Sequence, residues 1–125
     1  MGARPTKVLL IEEDRDMRYL MRSALEAVGH IVAEATRGEI GLELAKRFGP
    51  AVIVLDAVLP DMAGQVVLEE LKREILTADA PVILLVAAGE LRRTIGPPLV
   101  AARIEHPVIA EQLVSTVQRV MPHAT

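Results

Sequence analysis

A chain of 125 residues, 51% of them apolar, suffices for one compact domain with a sizeable core and leaves little for a second. Its net charge of −3, with Lys and Arg spread along the chain, argues against the clustered basic footprint of a nucleic-acid binder, and no apolar run is long enough for a membrane span or a secretory signal. The lack of such a run makes a cytoplasmic protein the expectation, and with no cysteine there is no disulfide framework, thiolate metal site or thiol nucleophile, which by itself says little about compartment.

Lys7-Val8-Leu9-Leu10-Ile11 is too short for a typical helix and reads as a buried strand that runs straight into Glu12-Glu13-Asp14. Asp14 suits a helix N-cap, and Met17, Leu20, Met21, Ala24, Leu25 and Val28 follow at helical spacing until Gly29. A short strand is expected from Ile31 to Ala35, where the charged Glu34 argues for a place near the sheet edge. Gly38 opens a second amphipathic helix, with Ile40, Leu44, Ala45 and Phe48 on its apolar face and Gly49-Pro50 as its stop. Val52-Ile53-Val54-Leu55 is again apolar and β-branched, and it ends on Asp56. Past the Pro60–Gly64 loop, Val67, Leu68, Leu71 and Ile75 mark a third helix, and Pro81 to Val86 a fourth buried strand.

The last third is less regular. Glu90 to Ile95 suits a short helix cut off at Gly96-Pro97-Pro98, and Leu99 to Ile104 a final strand before His106-Pro107. Leu113, Val114, Val117, Val120 and Met121 then place a closing helix against the sheet. Strands alternating with helices over short links imply right-handed βαβ crossovers, hence a parallel sheet covered on both faces.

In such sheets the carboxyl ends of the strands form the ligand crevice. Asp56 ends one strand there and is open to two readings, a chemical group or a solvated turn residue. The second acidic cluster, Glu12-Glu13-Asp14 after the first strand, tips the balance towards chemistry.

Val8 to Arg18 (VLLIEEDRDMR), Val54 to Gly64 (VLDAVLPDMAG), Pro81 to Leu85 and the His106-Pro107 pair together resemble the receiver domain of two-component response regulators. The resemblance implies a single receiver-like domain over residues 1–125, its core about 7–121, with a doubly wound, flavodoxin-like five-stranded parallel sheet of order 2-1-3-4-5. It also implies a signalling module, not an enzyme, in which Asp56 accepts a phosphoryl group from a histidine kinase or phosphotransfer protein. Mg²⁺ would be held by Glu12, Glu13, Asp56 and the backbone carbonyl of Val58, because anions meeting at a carboxylate need a cation among them. No nucleic-acid or membrane contact is expected, and the downstream partner is left open.

Several positions depart from the family pattern. Both acidic residues after the first strand are glutamate, an extra methylene that octahedral Mg²⁺ tolerates less well than aspartate. Val86 stands where the family carries a Ser or Thr and cannot donate a hydrogen bond. His106 stands in place of the family lysine, shorter and mostly neutral near pH 7 by its reference value. Arg103 replaces the aromatic switch residue. These changes keep a second reading open, a phosphorylation-independent pseudo-receiver that acts as a protein-interaction module. A flavin-type binder fits less well, since Glu12-Glu13-Asp14 would repel a phosphate, and a hydrolase lacks its nucleophile elbow. His30 and His123 are read as surface residues, and His106 as either a phosphoryl partner or a loop residue beside an X-Pro bond open to the cis form.

Overall fold

The computed structural model describes residues 5–91 and 99–122. Its strands are β1 (Lys7–Ile11), β2 (Ile31–Ala35), β3 (Val52–Asp56), β4 (Val82–Val86) and β5 (Ala102–Glu105), and its helices are α1 (Arg15–Ala27), α2 (Gly38–Phe48), α3 (Gly64–Arg73) and α4 (Ala110–Val120). The five strands are all parallel, in the order β2-β1-β3-β4-β5. The doubly wound architecture is therefore as expected, and β2, which carries Glu34, is an edge strand. Among the described residues no helix is long and apolar enough to cross a membrane.

Two apolar layers follow from the period of two along each central strand. Val8, Leu10, Val54, Ile83 and Leu85 point to one face and pack with Met21 and Leu25 of α1 and with Leu113 and Val117 of α4. Leu9, Ile11, Ile53, Leu55 and Leu84 point to the other and pack with Ala45 of α2 and with Val67, Leu68 and Leu71 of α3. A strand buried on both faces has no polar side to show, which is why β1, β3 and β4 are apolar almost throughout.

Several local expectations need correction. On α1 the buried positions are Met21 and Leu25, while Leu20 and Val28 lie exposed at the rim of the stripe. On α2, Ile40 is exposed and the buried positions are Gly38, Gly41 and Ala45, with Gly41 against Ile11 of β1 and Gly38 against Met62 and Val67. A Cβ at Gly41 would stand 2.6 Å from Ile11 Cδ1, so the close approach of α2 to β1 needs a glycine where the apolar pattern offered larger residues. Helix α3 ends at Arg73, before Ile75, which is exposed. Its last turn is closed by Thr77, whose buried Oγ1 donates to the Leu71 carbonyl at 2.7 Å. Removing that donor in Thr77→Val leaves a buried carbonyl unpaired, and urea denaturation is expected to show a loss of about 1–2 kcal/mol.

The final strand starts at Ala102, not Leu99, because pairing with β4 runs from Ile83↔Ala102 to Val86↔Glu105. His30 is buried, not a surface residue: Nδ1 accepts from the Thr6 backbone N–H at 3.3 Å, and burial holds its pKa below the ordinary value. The remainder of the expected Glu90–Ile95 helix, its Gly96-Pro97-Pro98 stop and His123 lie outside the described residues.

Candidate functional site

The carboxyl ends of β1 and β3 bring two acidic loops together at the crevice of the sheet. Glu12 follows β1 directly and is buried, 3% exposed. Its Oε2 accepts from the Asp14 backbone N–H at 3.0 Å, whereas Oε1 is buried with no hydrogen-bond partner. Asp14 in turn caps α1, accepting from the Met17 N–H at 2.8 Å. Arg18 reaches back from α1 to donate to the carbonyls of Glu12 at 3.0 Å and Glu13 at 2.6 Å while pairing with Glu34 of β2 at 3.2 Å. The acidic loop is thus held from both sides by its own helix.

Asp56 ends β3 with its side chain 13% exposed. Its Oδ1 accepts from the Val58 N–H at 2.8 Å, an Asx turn that fixes the carboxyl plane. Its Oδ2 faces His106, whose Nε2 lies 3.5 Å away. The His106–Pro107 peptide bond is cis, and the His106 N–H donates to the Val86 carbonyl at 2.8 Å, which sets the residue at the end of β5.

One donor atom each from Glu12, Asp56 and His106 lie within 4.8 Å of one another. Glu13 is exposed and not part of this cluster, and Val58 is exposed at the loop beside it. Val86 is buried in the apolar layer shared with α2 and α3. Burial, then contact with Asp56, pushes the Glu12 carboxyl up to about 8. A buried carboxylate with an unpaired oxygen beside a second carboxylate is a costly arrangement that a bound cation relieves.

Three positioning residues were not singled out from the sequence. Arg18 is one, as described above. Asp61, from the β3–α3 loop, caps the neighbouring helix α2 by accepting from the Gly38 N–H at 2.8 Å and the Glu39 N–H at 2.9 Å, bonds that hold its pKa below the usual range. Glu105 accepts from the Gly89 N–H, and nearby Arg103 donates to the Leu91 carbonyl at 2.6 Å, so β5 grips the segment that follows β4. These partners are 16 residues apart in one case and 12 in the other, and nothing local in the sequence marks them.

A family model for the response regulator receiver domain matches residues 8–96. A DNA-binding dual master transcriptional regulator, RpaA, of Synechocystis is 36% identical over 86 residues, 69% of this chain and 36% of the relative. The chain spans about a third of the length of the curated relatives it matches. Among solved structures, the chemotaxis response regulator CheY4 of Vibrio cholerae superposes with a TM-score of 0.85 at 22% identity, covering 94% of this chain and 100% of that one. The receiver domain of a sensor histidine kinase from Pseudomonas aeruginosa, with magnesium coordinated in its active-site cleft, superposes with a TM-score of 0.82 at 21% identity over 93% of this chain and 97% of its own.

Proposed function

The chain belongs to the response regulator receiver domain family, and from that premise we propose that it accepts a phosphoryl group on Asp56 from a histidine kinase or phosphotransfer protein. The observation that carries the reading is the division of labour at the Asp56 carboxyl. Oδ1 accepts from the Val58 N–H, whereas Oδ2 lies 3.5 Å from His106 Nε2 at the carboxyl edge of the sheet. In the transfer, Oδ2 attacks phosphorus in line, the new O–P bond forms as the N–P bond of the donor phosphohistidine breaks, and the departing imidazole takes up a proton.

The donor set suits a divalent cation: Glu12 supplies a buried oxygen without a partner, Asp56 a second carboxylate, and the backbone carbonyl of Val58 and the exposed Glu13 lie on the same two loops. A divalent cation held there, Mg²⁺ in the family pattern, would offset the charge of the phosphoryl oxygens as they approach two carboxylates. His106, whose Nε2 lies 3.5 Å from Asp56 Oδ2, stands beside the phosphoryl position in the place of the lysine it replaces. Val86 offers no hydrogen bond, so the phosphoryl group is read by fewer donors than the family provides. On this reading residues 1–125 act as one receiver-like unit in the cytoplasm, with protein partners and no contact to nucleic acid or membrane.

One observation favours the second reading, a pseudo-receiver that binds its partner irrespective of phosphate. Glu105 and Arg103 already hold the segment after β4 to β5, where a phosphate-driven switch would need two arrangements. Intact mass after incubation with Mg²⁺ and a small phosphodonor decides between them. One phosphoryl increment on the wild type and none on Asp56→Asn is the expected result. No increment from small donors or from a set of phosphorylated kinases would leave the protein-interaction reading in its place.

A further inference from the structure

His106 does more than replace a charge. A lysine ammonium has no lone pair for a metal, whereas an imidazole nitrogen is a common metal ligand. Its Nε2 is 3.5 Å from Asp56 Oδ2, and the two belong with Glu12 to a cluster whose donor atoms all lie within 4.8 Å of one another. Donors bound at about 2.0–2.1 Å to one tetrahedral ion stand roughly 3.3 Å apart, so the His106–Asp56 spacing is close to that of two ligands sharing an ion. The second, independent observation is Glu12, 97% buried by its 3% exposure, with Oε1 lacking any hydrogen-bond partner. Asp56 and His106, with side chains 13% and 29% exposed, leave an open side for water or a phosphoryl oxygen.

We propose that Glu12, Asp56 and His106 form a mixed oxygen–nitrogen site for a divalent first-row transition ion of the manganese-to-zinc series, in preference to Mg²⁺. Mg²⁺ takes oxygen ligands in a near-ideal octahedron and keeps its waters, and one glutamate and one aspartate carboxylate plus an imidazole match it poorly. Imidazole suits zinc, copper, iron and nickel, and the affinity of nitrogen-containing sites rises along the series from Mn²⁺ towards Cu²⁺. The ion would bring its own positive charge to the place where the family lysine brings an ammonium, without requiring the imidazole to be protonated.

The proposal rests on the same pocket as the phosphoacceptor reading but not on phosphoryl transfer, and its test uses no phosphodonor, so the two fail separately. Titration calorimetry of the whole chain with Zn²⁺, Mn²⁺ and Mg²⁺ is compared for the wild type, His106→Lys and His106→Gln, with denaturation midpoints confirming that each variant is folded. One Zn²⁺ or Mn²⁺ per chain, bound at least about tenfold tighter than Mg²⁺ and losing about tenfold or more in both variants while Mg²⁺ binding changes little, is the expected result. Paramagnetic resonance with Cu²⁺ as probe adds a signature that a structural role would not produce: nitrogen hyperfine coupling in the wild type, absent in His106→Gln. Equal affinities in wild type and variants, no transition-ion binding, or an unchanged Cu²⁺ spectrum would each overturn the proposal.

Discussion

Gly64→Ala is expected to destabilise the protein by about 1–3 kcal/mol, the range of overpacking, and towards its upper end because backbone blocks the added atom. Helix propensity alone points the other way, because alanine is favoured over glycine by about 1 kcal/mol in a helix interior. Gly64 opens α3 and is buried, and a Cβ there would lie 2.5 Å from the Asp56 carbonyl oxygen and 2.8 Å from Ala57 Cα. Neither atom can swing aside as a side chain would. Asp56 is paired in register with Leu85, the Ala57 N–H donates to the Leu85 carbonyl at 2.9 Å, and the Ala57 carbonyl accepts from the Gly64 N–H itself at 2.8 Å. The strain therefore falls on the loop that follows Asp56, and on the proposed function uptake of a phosphoryl group should drop along with stability. Urea denaturation distinguishes the two forces by sign: a stabilised variant would mean that the α3 terminus shifts freely against β3.

Glu12→Gln is expected to change stability and cation response in opposite directions. In the folded chain the Glu12 carboxyl is raised from its usual 4.5 to about 8, first by burial and then by Asp56. A raised folded pKa means that the fold favours the protonated carboxyl, so this contribution to stability is fully present below pH 4.5 and is lost as pH rises through about 8. For the metal-free wild type, chemical denaturation across that window should show a decline of a few kcal/mol attributable to this group, and the neutral glutamine should flatten it. Added divalent cation competes with the proton for the same oxygens and should restore stability to the wild type at the high end of the window. The glutamine variant, having lost an anionic ligand, should show little response. A variant that keeps both the pH slope and the cation response would show that the carboxyl acts elsewhere. Greater stability without the ion and weaker function with it is the trade expected of a residue retained for its site.

The central strands were legible because burial on both faces demands apolar, β-branched residues without interruption, and Val8–Ile11, Val52–Leu55 and Val82–Val86 satisfy that demand with no alternative element to confuse them. The helix faces were less legible. Spacing names the candidates for a buried stripe, but the width of the stripe depends on how closely the helix approaches the sheet. Gly41 lets α2 come close against Ile11 of β1 and Gly38 against Met62 and Val67, while Ile40 is left outside, and on α1 Leu20 and Val28 lie at the rim of the buried stripe. His30 was read as a surface residue because one polar residue in a turn carries no mark of what the N-terminal segment folds over it.

At the site, the positions of Glu12 and Asp56 at the ends of apolar runs were evident from the chain itself, since a strand that ends on a carboxylate must present it at the sheet's edge. The sequence by itself determined the parallel sheet, its order through the family motifs, and the carboxylates at its edge, because these follow from local periodicity and short contiguous patterns. Only the tertiary structure decided that Glu12 is the buried member of the glutamate pair, that His106 closes on Asp56, and that Arg18, Asp61, Glu105 and Arg103 hold the loops in place. Each of those contacts joins loops or side chains whose meeting is set by strand register and helix approach, and such distances in space leave no periodic trace along the chain.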